Sequence, residues 1–373
     1  MEEPPELPKE MQAIQVTAYK SPYEIRSIPV PTDLQPFELL VKVAVASNCH
    51  TDSMVQQGVF NSPLPQTASH EGAGTVVRVG GKEAEGRGFK VGDRVMIGLV
   101  QPLHPCGTCP DCTGPESQTQ YCTHITGHLG VTTQGCFASY VRADSRSTTP
   151  LPDSISFLSA APLACAGRTV WRSILQTGLQ KGQWICFVGS GGGLGHLGVQ
   201  FGKALGLKVI GVDARDEGLE LTKSYGADVV VDARKGKEEA VKAVQEVTGG
   251  EGADATVCIS DATSAAGLAC AVTRMHGTMV QVAQPEEVVI PFPELIFRDI
   301  RVKGSLICSE EESRGMLRCI AEHGVTAKTV PFYGLEKIGE LTELVHGGKI
   351  QGKAVIIVDE AQIEEEKKVG AKF

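Results

Sequence analysis

The sequence predicts two kinds of fold in one chain: a β-rich part, and an α/β part built on a parallel sheet. From Met11 to about Ala143, short segments such as MQAIQVTAY and ELLVKVAVA run apolar or alternate in polarity, with Gly, Pro, Asp and Asn between them. This pattern is typical of β-strands joined by turns. From about Ser154, strand-like runs (WICFVG, KVIGVD, DVVVD) alternate with helix-like segments such as LGHLGVQFGKALG. Strands and helices that alternate at this spacing predict a parallel sheet.

The composition argues against several classes of protein. With 373 residues, 42% of them hydrophobic and 21% charged, the chain has the length of two ordinary domains and a globular composition. Its net charge of −9 argues against nucleic acid or an anionic membrane as a partner. The N-terminal MEEPPELPKEM lacks the features of a secretory signal, and no apolar run is long enough to span a membrane. We therefore expect a cytoplasmic protein whose twelve cysteines are metal ligands and buried thiols.

A glycine cluster marks the first candidate binding site. The segment FVGSGGGLGHLG follows a predicted strand, opens a helix, and reads as Gly189-x-x-Gly192-x-x-Gly195. Glycines there allow a tight turn and bring backbone N–H groups close to a dinucleotide pyrophosphate. Asp213 ends the next predicted strand, where a carboxylate accepts bonds from the adenosine ribose and repels a 2′-phosphate. The pattern therefore favours NAD(H) over NADP(H), although Arg215, two residues further on, could soften that preference.

Four cysteines lie together in the segment CGTCPDCTGPESQTQYC. They are Cys106, Cys109, Cys112 and Cys122, with the spacing C-x2-C-x2-C-x9-C. Four thiolates in so short a loop suit a tetrahedral structural zinc ion. Two disulfides or an iron–sulfur cluster are the alternatives. A closed zinc site of this kind would hold the loop together and would take no part in chemistry.

A second set of metal-ligating residues is spread more widely. The segment SNCHTDSMVQQGVFNSPLPQTASHEGAG contains Cys49 and His70, and the later segment PLACAG adds Cys165. A catalytic zinc ion needs three protein ligands and one open position for substrate. These three residues could supply such a site at the joint between the β-rich and α/β parts.

Several motifs together resemble those of a known family. They are CHTD, HEGAG, the four-cysteine loop, PLACAG, GSGGGLG and GKIQGKAVIIV, and the resemblance spans the chain from about Met11 to Asp359. The chain resembles the zinc-dependent medium-chain alcohol dehydrogenases, particularly their yeast-type branch. This resemblance implies a GroES-like catalytic domain, split into residues 11–160 and 307–373, around a Rossmann NAD-binding domain of residues 161–306. It also implies a homodimer or homotetramer, formed through the Rossmann sheet.

The resemblance assigns roles to the residues around the second metal set. Cys49, His70 and Cys165 match the catalytic zinc ligands, and Glu71 matches a carboxylate that can approach the metal when substrate leaves. Thr51 matches the hydroxyl that hydrogen-bonds the alcohol substrate. Asp52 matches the acid that orients the ligand histidine. His50 and Lys353 match basic residues near the cofactor pyrophosphate. The residues expected to bind cofactor are His50, Gly189, Gly192, Gly193, Leu194, Gly195, Asp213, Val282 and Lys353.

The expected activity is therefore the zinc- and NAD(H)-dependent interconversion of an alcohol with an aldehyde or ketone. One zinc ion would be catalytic and a second structural. Two alternatives remain open: a zinc-independent reductase of activated C=C bonds on the same fold, and a non-catalytic structural or binding paralogue. The intact trio of zinc ligands argues against the first alternative.

Several positions depart from the family pattern. Met54 stands where many members have a histidine that completes a proton relay, and a thioether cannot carry a proton. Ser69 stands where glycine is usual, a change that we expect to be tolerated. Phe60 and about Leu99 stand where yeast-type enzymes have tryptophans, and Gln284 replaces an apolar residue near the nicotinamide. Smaller walls predict a substrate bulkier than ethanol.

Overall fold

The computed structural model describes residues 6–101, 106–114, 118–125 and 127–372. The chain forms two units, one from residues 1–165, 309–321 and 329–373 and the other from residues 166–308 and 322–328. Residues 161–165 thus fold with the first unit, and residues 322–328 fold with the second, which differs from the expected boundaries. The second difference has a clear cause. The side chain of Gln200 bonds to both backbone groups of Thr326, which holds that segment within the second unit.

The strands are numbered in chain order. They are β1 (Glu10–Val16), β2 (Glu24–Pro29), β3 (Glu38–Ser47), β4 (Gln66–Thr67), β5 (Glu71–Val79), β6 (Arg94–Met96), β7 (Val100–Gln101), β8 (Gly127–His128), β9 (Tyr140–Asp144), β10 (Thr149–Pro150), β11 (Trp184–Val188), β12 (Lys208–Asp213), β13 (Val229–Asp232), β14 (Ala253–Cys258), β15 (Thr273–Gln281), β16 (Arg301–Gly304), β17 (Thr329–Tyr333) and β18 (Lys353–Ile357).

The helices follow the same order. They are α1 (His50–Gln57), α2 (Lys82–Gly86), α3 (Pro110–Thr113), α4 (Phe157–Pro162), α5 (Arg168–Leu175), α6 (Gly195–Ala204), α7 (Asp216–Ser224), α8 (Lys237–Val247), α9 (Ala265–Val272), α10 (Phe292–Ile296), α11 (Glu310–His323), α12 (Ile338–His346) and α13 (Glu360–Lys368). Single 3₁₀ turns cover Thr119–Tyr121, Ala233–Lys235 and Leu335–Lys337, and a π turn covers Leu163–Gly167. None of the helices in the described ranges has the length and hydrophobicity that a membrane crossing requires.

The first unit is built on a mostly antiparallel sheet. Its strands lie in the order β10-β6-β5-β3-β18-β17, with β9 also paired to β3, and a smaller sheet has the order β2-β1-β4. The long strand β3 is buried along almost its whole length, since the core of the unit packs around it. Ser47, the last residue of β3, pairs with Glu71 of β5 and with Val355 of β18. This register brings the end of β3 close to the starts of β5 and β18.

The second unit contains a six-stranded parallel sheet in the order β13-β12-β11-β14-β15-β16. Numbered within the unit, this is the order 3-2-1-4-5-6 of a Rossmann fold. Its central strands β11, β12 and β14 are buried at nearly every residue, as a sheet covered by helices requires. The predicted fold class is therefore confirmed: a β-rich unit and a parallel α/β unit.

Candidate active site

Four potential metal ligands of the first unit converge where its strands meet. Cys49 caps the N-terminus of α1 just after β3, His70 directly precedes β5, and Glu71 begins β5. Cys165 lies in the π turn that follows α4, a local geometry often found at functional sites. Each of the four offers one ligand atom, and all four atoms lie within 4.8 Å of one another. The register of β3 with β5 brings together residues that are about twenty positions apart.

This set of donors fits a zinc ion. Zn–S distances of about 2.3 Å and Zn–N distances of about 2.1 Å place tetrahedral ligand atoms roughly 3.5 Å apart, which the cluster can meet with small shifts. His70 is buried, and its Nδ1 atom has no hydrogen-bond partner within the described part of the chain. A buried imidazole in one cluster with two thiols offers the nitrogen and sulfur donors that zinc prefers. Glu71, in the same cluster, would be a possible exchange ligand.

The electrostatics of the cluster also favour a cation. A hydrogen bond from Cys165, together with Lys353 and His70, lowers the pKa of Cys49 well below its usual value against the effect of burial. The same hydrogen bond and burial raise the pKa of Cys165 well above its usual value. Burial opposes a charge on His70, but the Cys49 thiolate and nearby carboxylates outweigh it and raise the pKa of His70 to about 9. The positive charges of Lys353 and His70 thus help to stabilise the Cys49 thiolate. A divalent metal ion would supply further positive charge at the same place.

Lys353, at the start of β18, lies at the same place. Its Nζ is 2.7 Å from Glu71 Oε2, and both side chains are buried. Burial raises the pKa of Glu71 to about 7, with Lys353 acting in the opposite direction. Burial lowers the pKa of Lys353, but Glu71 and Cys49 outweigh it, so the pKa of Lys353 is raised. The structure thus gives Lys353 a carboxylate partner, and its expected contact with a cofactor pyrophosphate stays a prediction.

Asp52 joins the two ligand segments through their backbones. Its Oδ2 accepts a hydrogen bond from the Cys49 N–H at 2.9 Å, and its Oδ1 accepts one from the Ser69 N–H at 2.8 Å. Asp52 was expected to orient the His70 ring, but among the described residues its hydrogen bonds go to these two backbone groups. Burial raises the pKa of Asp52, and the charge of His70 opposes this. Asp52 therefore joins the segment that contains Cys49 to the segment that contains His70, by hydrogen bonds to the backbone of each.

Ser69 has an unusual backbone conformation and makes hydrogen bonds that the sequence does not predict. Its backbone is left-handed, with φ of +68°, and its side chain is buried. Its Oγ donates to the Ser47 carbonyl at 2.9 Å and accepts from the Glu71 N–H at 3.2 Å. A non-glycine residue in this conformation carries strain that its surroundings must offset. A glycine, which is usual at this position, could not make these side-chain hydrogen bonds. Ser69 therefore links the end of β3 to the start of β5.

The remaining predicted residues of α1 lie near the cluster. Thr51 is half-buried, and its Oγ1 is 3.9 Å from Cys49 Sγ. Met54 lies one turn further along α1 and is half-buried. His50, the first residue of the helix, is exposed. Thr51 therefore places a hydroxyl close to the thiolate, and Met54 offers no group that could take a proton from it.

The four loop cysteines form a second cluster. The sulfur atoms of Cys106, Cys109, Cys112 and Cys122 lie within 4.8 Å of one another. Cys106 Sγ and Cys112 Sγ are 3.9 Å apart, close to the roughly 3.8 Å that a tetrahedral zinc site requires. Hydrogen bonds from the Thr108 side chain and backbone lower the pKa of Cys106 to about 5. The cluster thus contains a thiolate already suited to a metal.

The glycine loop of the second unit has the geometry that the sequence predicts. Gly189 follows β11 with φ of +94°, a conformation that side chains rarely adopt. Leu194 precedes α6, whose N-terminus therefore points toward the loop. Asp213 ends β12, and its Oδ2 accepts a hydrogen bond from the Gly191 N–H at 2.9 Å. Val282 is buried just after β15, with its N–H bonded to the Cys258 carbonyl.

His196, in the first turn of α6, stands outside the expected site residues but supports the same loop. It is fully buried, with Nδ1 3.0 Å from the Gly192 carbonyl oxygen. Its Nε2 accepts a hydrogen bond from the Lys328 N–H at 3.0 Å. The neutral ring with its proton on Nδ1 satisfies both bonds. A sequence offers no signal for this role, because Lys328 is distant along the chain.

Comparisons with known proteins agree with this geometry. Residues 35–153 match the family model of the alcohol dehydrogenase GroES-like domain, and residues 193–322 match that of the zinc-binding dehydrogenases. An alcohol dehydrogenase of Geobacillus stearothermophilus is 33% identical over 94% of this chain and 100% of its own length. The chain therefore belongs to the zinc-type medium-chain alcohol dehydrogenase family, as its motifs indicated. It is an oxidoreductase of that family, and its relatives imply small-molecule alcohol or aldehyde substrates; the yeast-type branch stays a prediction.

Solved structures extend the likeness to the whole fold. The crystal structure of the alcohol dehydrogenase from the hyperthermophilic archaeon Aeropyrum pernix has a TM-score of 0.81 and 30% sequence identity. The match covers 93% of this chain and 99% of that one. A structure titled NAD-dependent alcohol dehydrogenase has a TM-score of 0.83 and 27% identity, over 94% of this chain and all of its own. The fold of this chain is thus similar to the folds of these enzymes over nearly its whole length.

Proposed function

We propose that this protein interconverts an alcohol with an aldehyde or ketone, with zinc at Cys49, His70 and Cys165 and with NAD(H) as the cofactor. The observation that carries the proposal is the convergence of these three side chains, with Glu71, into one buried cluster. A second zinc ion, with a structural role, is proposed for Cys106, Cys109, Cys112 and Cys122. The glycine loop and Asp213 support NAD(H) as the preferred cofactor. Cytoplasmic location stays a prediction from the sequence.

The chain's own groups account for binding and proton transfer. When bound, zinc supplies a Lewis acid that polarises the oxygen of the substrate. Thr51, beside the Cys49 thiolate, accepts the hydroxyl proton of an alcohol and passes it to solvent, because Met54 cannot take it. Lys353 balances the charge of Glu71 and the thiolates. The glycine loop would hold NAD(H), which would supply a hydride acceptor for the oxidation of an alcohol to a carbonyl compound and a hydride donor for the reverse reaction.

The substrate is proposed to be bulkier than ethanol. Phe60 is partly exposed and Leu99 is buried, both in the first unit, at the places where bulkier tryptophans are expected in yeast-type enzymes. A smaller side chain at each place leaves more room for a branched or aromatic group. A panel that compares ethanol with branched and aromatic alcohols tests this point, and the highest kcat/KM on ethanol would contradict it.

A homo-oligomer is also part of the proposal. An apolar surface of the second unit is formed by the exposed side chains of Val288, Val289, Phe292, Ile296, Phe297 and Val302. It adjoins β16, which pairs only with β15 among the described strands and so has an open edge. An open edge beside exposed apolar residues is a usual place for pairing with another copy. Light scattering of wild type and Ile296→Lys tests this: we expect a dimer or larger for wild type and a smaller species for the variant.

One experiment tests the activity itself. Purified protein is screened against a broad set of alcohols, aldehydes and ketones, with oxidation or formation of NADH followed by absorbance. Cys165→Ala should lose nearly all turnover, and Cys186→Ala, which changes a buried cysteine of the second unit, should keep it. Full activity in Cys165→Ala would refute the site. Reduction of activated C=C bonds without zinc would favour the first alternative, against which the zinc ligands argue. No turnover on any substrate would favour the non-catalytic paralogue.

A further inference from the structure

A buried carboxylate of the C-terminal helix α13 lies outside the metal cluster. The motifs that indicate the family end near Asp359, so α13 lies beyond them. Only 1% of the Glu366 side chain is exposed, and its Oε2 is 2.5 Å from Arg94 Nη2. The Phe157 N–H donates to both of its oxygens, at 2.8 Å to Oε2 and 3.1 Å to Oε1. Burial of a carboxylate is costly unless partners compensate its charge, so these contacts fix where Glu366 lies.

Arg94 of β6 binds the same short stretch of chain. Its Nη2 also donates to the Ile155 carbonyl at 2.7 Å, and its guanidinium carbon lies 4.6 Å from the centre of the Phe157 ring. After α13, the Lys372 N–H donates to the Ser154 carbonyl at 3.1 Å. The C-terminal segment and β6 thus both hold the residues just before α4 and at its start.

The helix that is held in this way carries Cys165. α4 begins at Phe157 and leads directly into the π turn Leu163–Gly167, which contains Cys165. Its six residues form a short rod about 9 Å long, which packs against β3 and β5. Apolar packing has no preferred direction, whereas the hydrogen bonds of the Phe157 N–H fix the position of α4 along its axis. A displacement of Phe157 would therefore be passed along α4 to Cys165.

The other two zinc ligands are tied to each other independently of α4. Cys49 follows β3 and His70 precedes β5, and these two strands are paired. Asp52 also bonds the backbones of Cys49 and Ser69. Ligand distances at a metal site must be correct to within about 0.2 Å. Cys165 comes from outside the strand pair, so its position depends on what holds α4.

We propose that Glu366 is a positioning residue, which sets where Cys165 lies in the metal cluster. Among the described residues, the carboxylate of Glu366 bonds to Arg94 and Phe157, so it acts on Cys165 through α4. Residues that orient a metal ligand without binding the metal typically change its affinity by about 10- to 100-fold. The inference rests on the zinc site of the proposed function and adds that the C-terminal helix controls the zinc affinity of that site.

The test measures zinc release from each cluster of the full chain as the concentration of a chelator is raised. Alkylation of Cys165 and of Cys112, both half-buried, reports release from the two clusters and is located by peptide mass spectrometry. Glu366→Ala should release zinc from the Cys165 cluster at about tenfold lower chelator than wild type. Glu366→Gln keeps one acceptor oxygen for the Phe157 N–H and should be intermediate. The Cys112 cluster is the internal reference and should not change.

Gln362→Ala is the matched control in the same helix. Gln362 is also buried, but its side chain bonds to Thr75 of β5 and to the Lys42 carbonyl of β3, and not to α4. The variant weakens the docking of α13 and should change zinc release from the Cys165 cluster by less than about twofold. Equal effects of Gln362→Ala and Glu366→Ala would show a general loss of stability and would overturn the inference.

The remaining outcomes separate this inference from the function on which it rests. Equal zinc release from the Cys165 cluster in wild type and Glu366→Ala would overturn the role of Glu366 and leave the zinc site standing. If zinc does not protect Cys165 in wild type, the zinc site is refuted, and this inference with it.

A measurement on wild type covers the case in which a variant fails to fold. Coupling between two sites is reciprocal, so zinc should stabilise the contact between α13 and α4 as much as that contact favours zinc. Amide hydrogen exchange in α13 should therefore slow by about fivefold or more when zinc is bound, and exchange in β1 and β2 of the same unit should slow less. Equal slowing of α13 and of these strands would overturn the inference.

Discussion

Lys353 Nζ lies 2.7 Å from Glu71 Oε2, and this buried ion pair is made by the first residues of two strands that flank β3. Glu71 begins β5 and Lys353 begins β18, and both strands pair with the end of β3 at Ser47. The pair therefore adjoins the Cys49, His70 and Cys165 cluster. Lys353 is among the groups that lower the pKa of Cys49, after the hydrogen bond from Cys165.

Removal of this lysine is predicted to cost much stability. Lys353→Met leaves a buried carboxylate without its partner, and we expect a loss of about 3–5 kcal/mol in the free energy of unfolding. The same change at Lys42, whose more exposed ammonium pairs with Asp359 at 2.6 Å, should cost at most about 1 kcal/mol. Urea unfolding of both variants provides the comparison. Adding Glu71→Gln to Lys353→Met should recover part of the loss, and equal costs for the two lysine variants would contradict the prediction.

Two substitutions of Ser69 are predicted to separate the effect of backbone strain on stability from the effect of its hydrogen bonds. Ser69→Ala keeps a side chain at φ of +68° and loses the bonds to Ser47 and Glu71, which should cost about 1–3 kcal/mol. Ser69→Gly also loses those bonds but relieves strain of about 1 kcal/mol, so it should be the more stable of the two. Thermal unfolding of the three proteins measures this order. Equal stability of Ser69→Ala and wild type would show that the hydroxyl contributes nothing.

A substitution in one cysteine cluster is predicted to remove the zinc ion of that cluster and to leave the other zinc ion bound. After removal of loosely bound metal, we expect one zinc ion for each cluster in wild type, measured by elemental analysis against protein concentration. Cys165→Ala should lose the ion of the Cys49 and His70 cluster and keep the other. Cys112→Ser should lose the ion of the loop and lower the thermal stability, since a structural zinc contributes folding energy. An unchanged zinc content in Cys165→Ala would argue against the catalytic site.

The proton pathway is predicted to respond to position 54. Wild type has Met54 there, so its rate of alcohol oxidation should show no histidine-like break. Met54→His should introduce one near about pH 6.5, because a histidine one turn beyond Thr51 would titrate in that range. Met54→Leu is the matched control and should keep the wild-type profile. The measurement is kcat against pH, and a break of this kind already present in wild type would mean that another group carries the proton.

Acid stability is predicted to depend on Asp359. Burial opposes its charge, but hydrogen bonds from Lys42 and Gln362 outweigh it and hold the pKa of Asp359 below its ordinary value of 3.8. A carboxylate with a lowered pKa stabilises the folded state above the ordinary value and loses that contribution as pH falls through the lowered one. Asp359→Asn should therefore be less stable than wild type by about 1 kcal/mol near pH 6, with the difference shrinking below pH 3.8.

Urea unfolding of both proteins across that range is the measurement. Asp153→Asn, which changes an exposed carboxylate, serves as the control for general effects of acid and should keep a constant small difference. The prediction is contradicted if the difference in the free energy of unfolding between wild type and Asp359→Asn increases as the pH falls.

Features that depend only on neighbouring residues could be predicted from the sequence. The glycine loop, the four-cysteine loop and the alternation of strands and helices are properties of short segments, because turn geometry and thiol spacing depend on near neighbours. The identities of Cys49, His70 and Cys165 also came from short motifs, and the structure brings these three together. Leu194 lies at the start of α6, and Val282 directly follows β15.

Tertiary structure decided the contacts between distant segments. Lys353 meets Glu71, Asp52 bonds the backbones of Cys49 and Ser69, and His196 joins Gly192 to Lys328. Asp213, predicted from the sequence to be a ribose ligand, also accepts hydrogen bonds from backbone N–H groups of the adjacent turns. None of these could be predicted, because each depends on strand register and on how closely two backbones approach. Strand register and the distance between backbones depend on the packing of the whole unit. A short sequence motif therefore does not predict them.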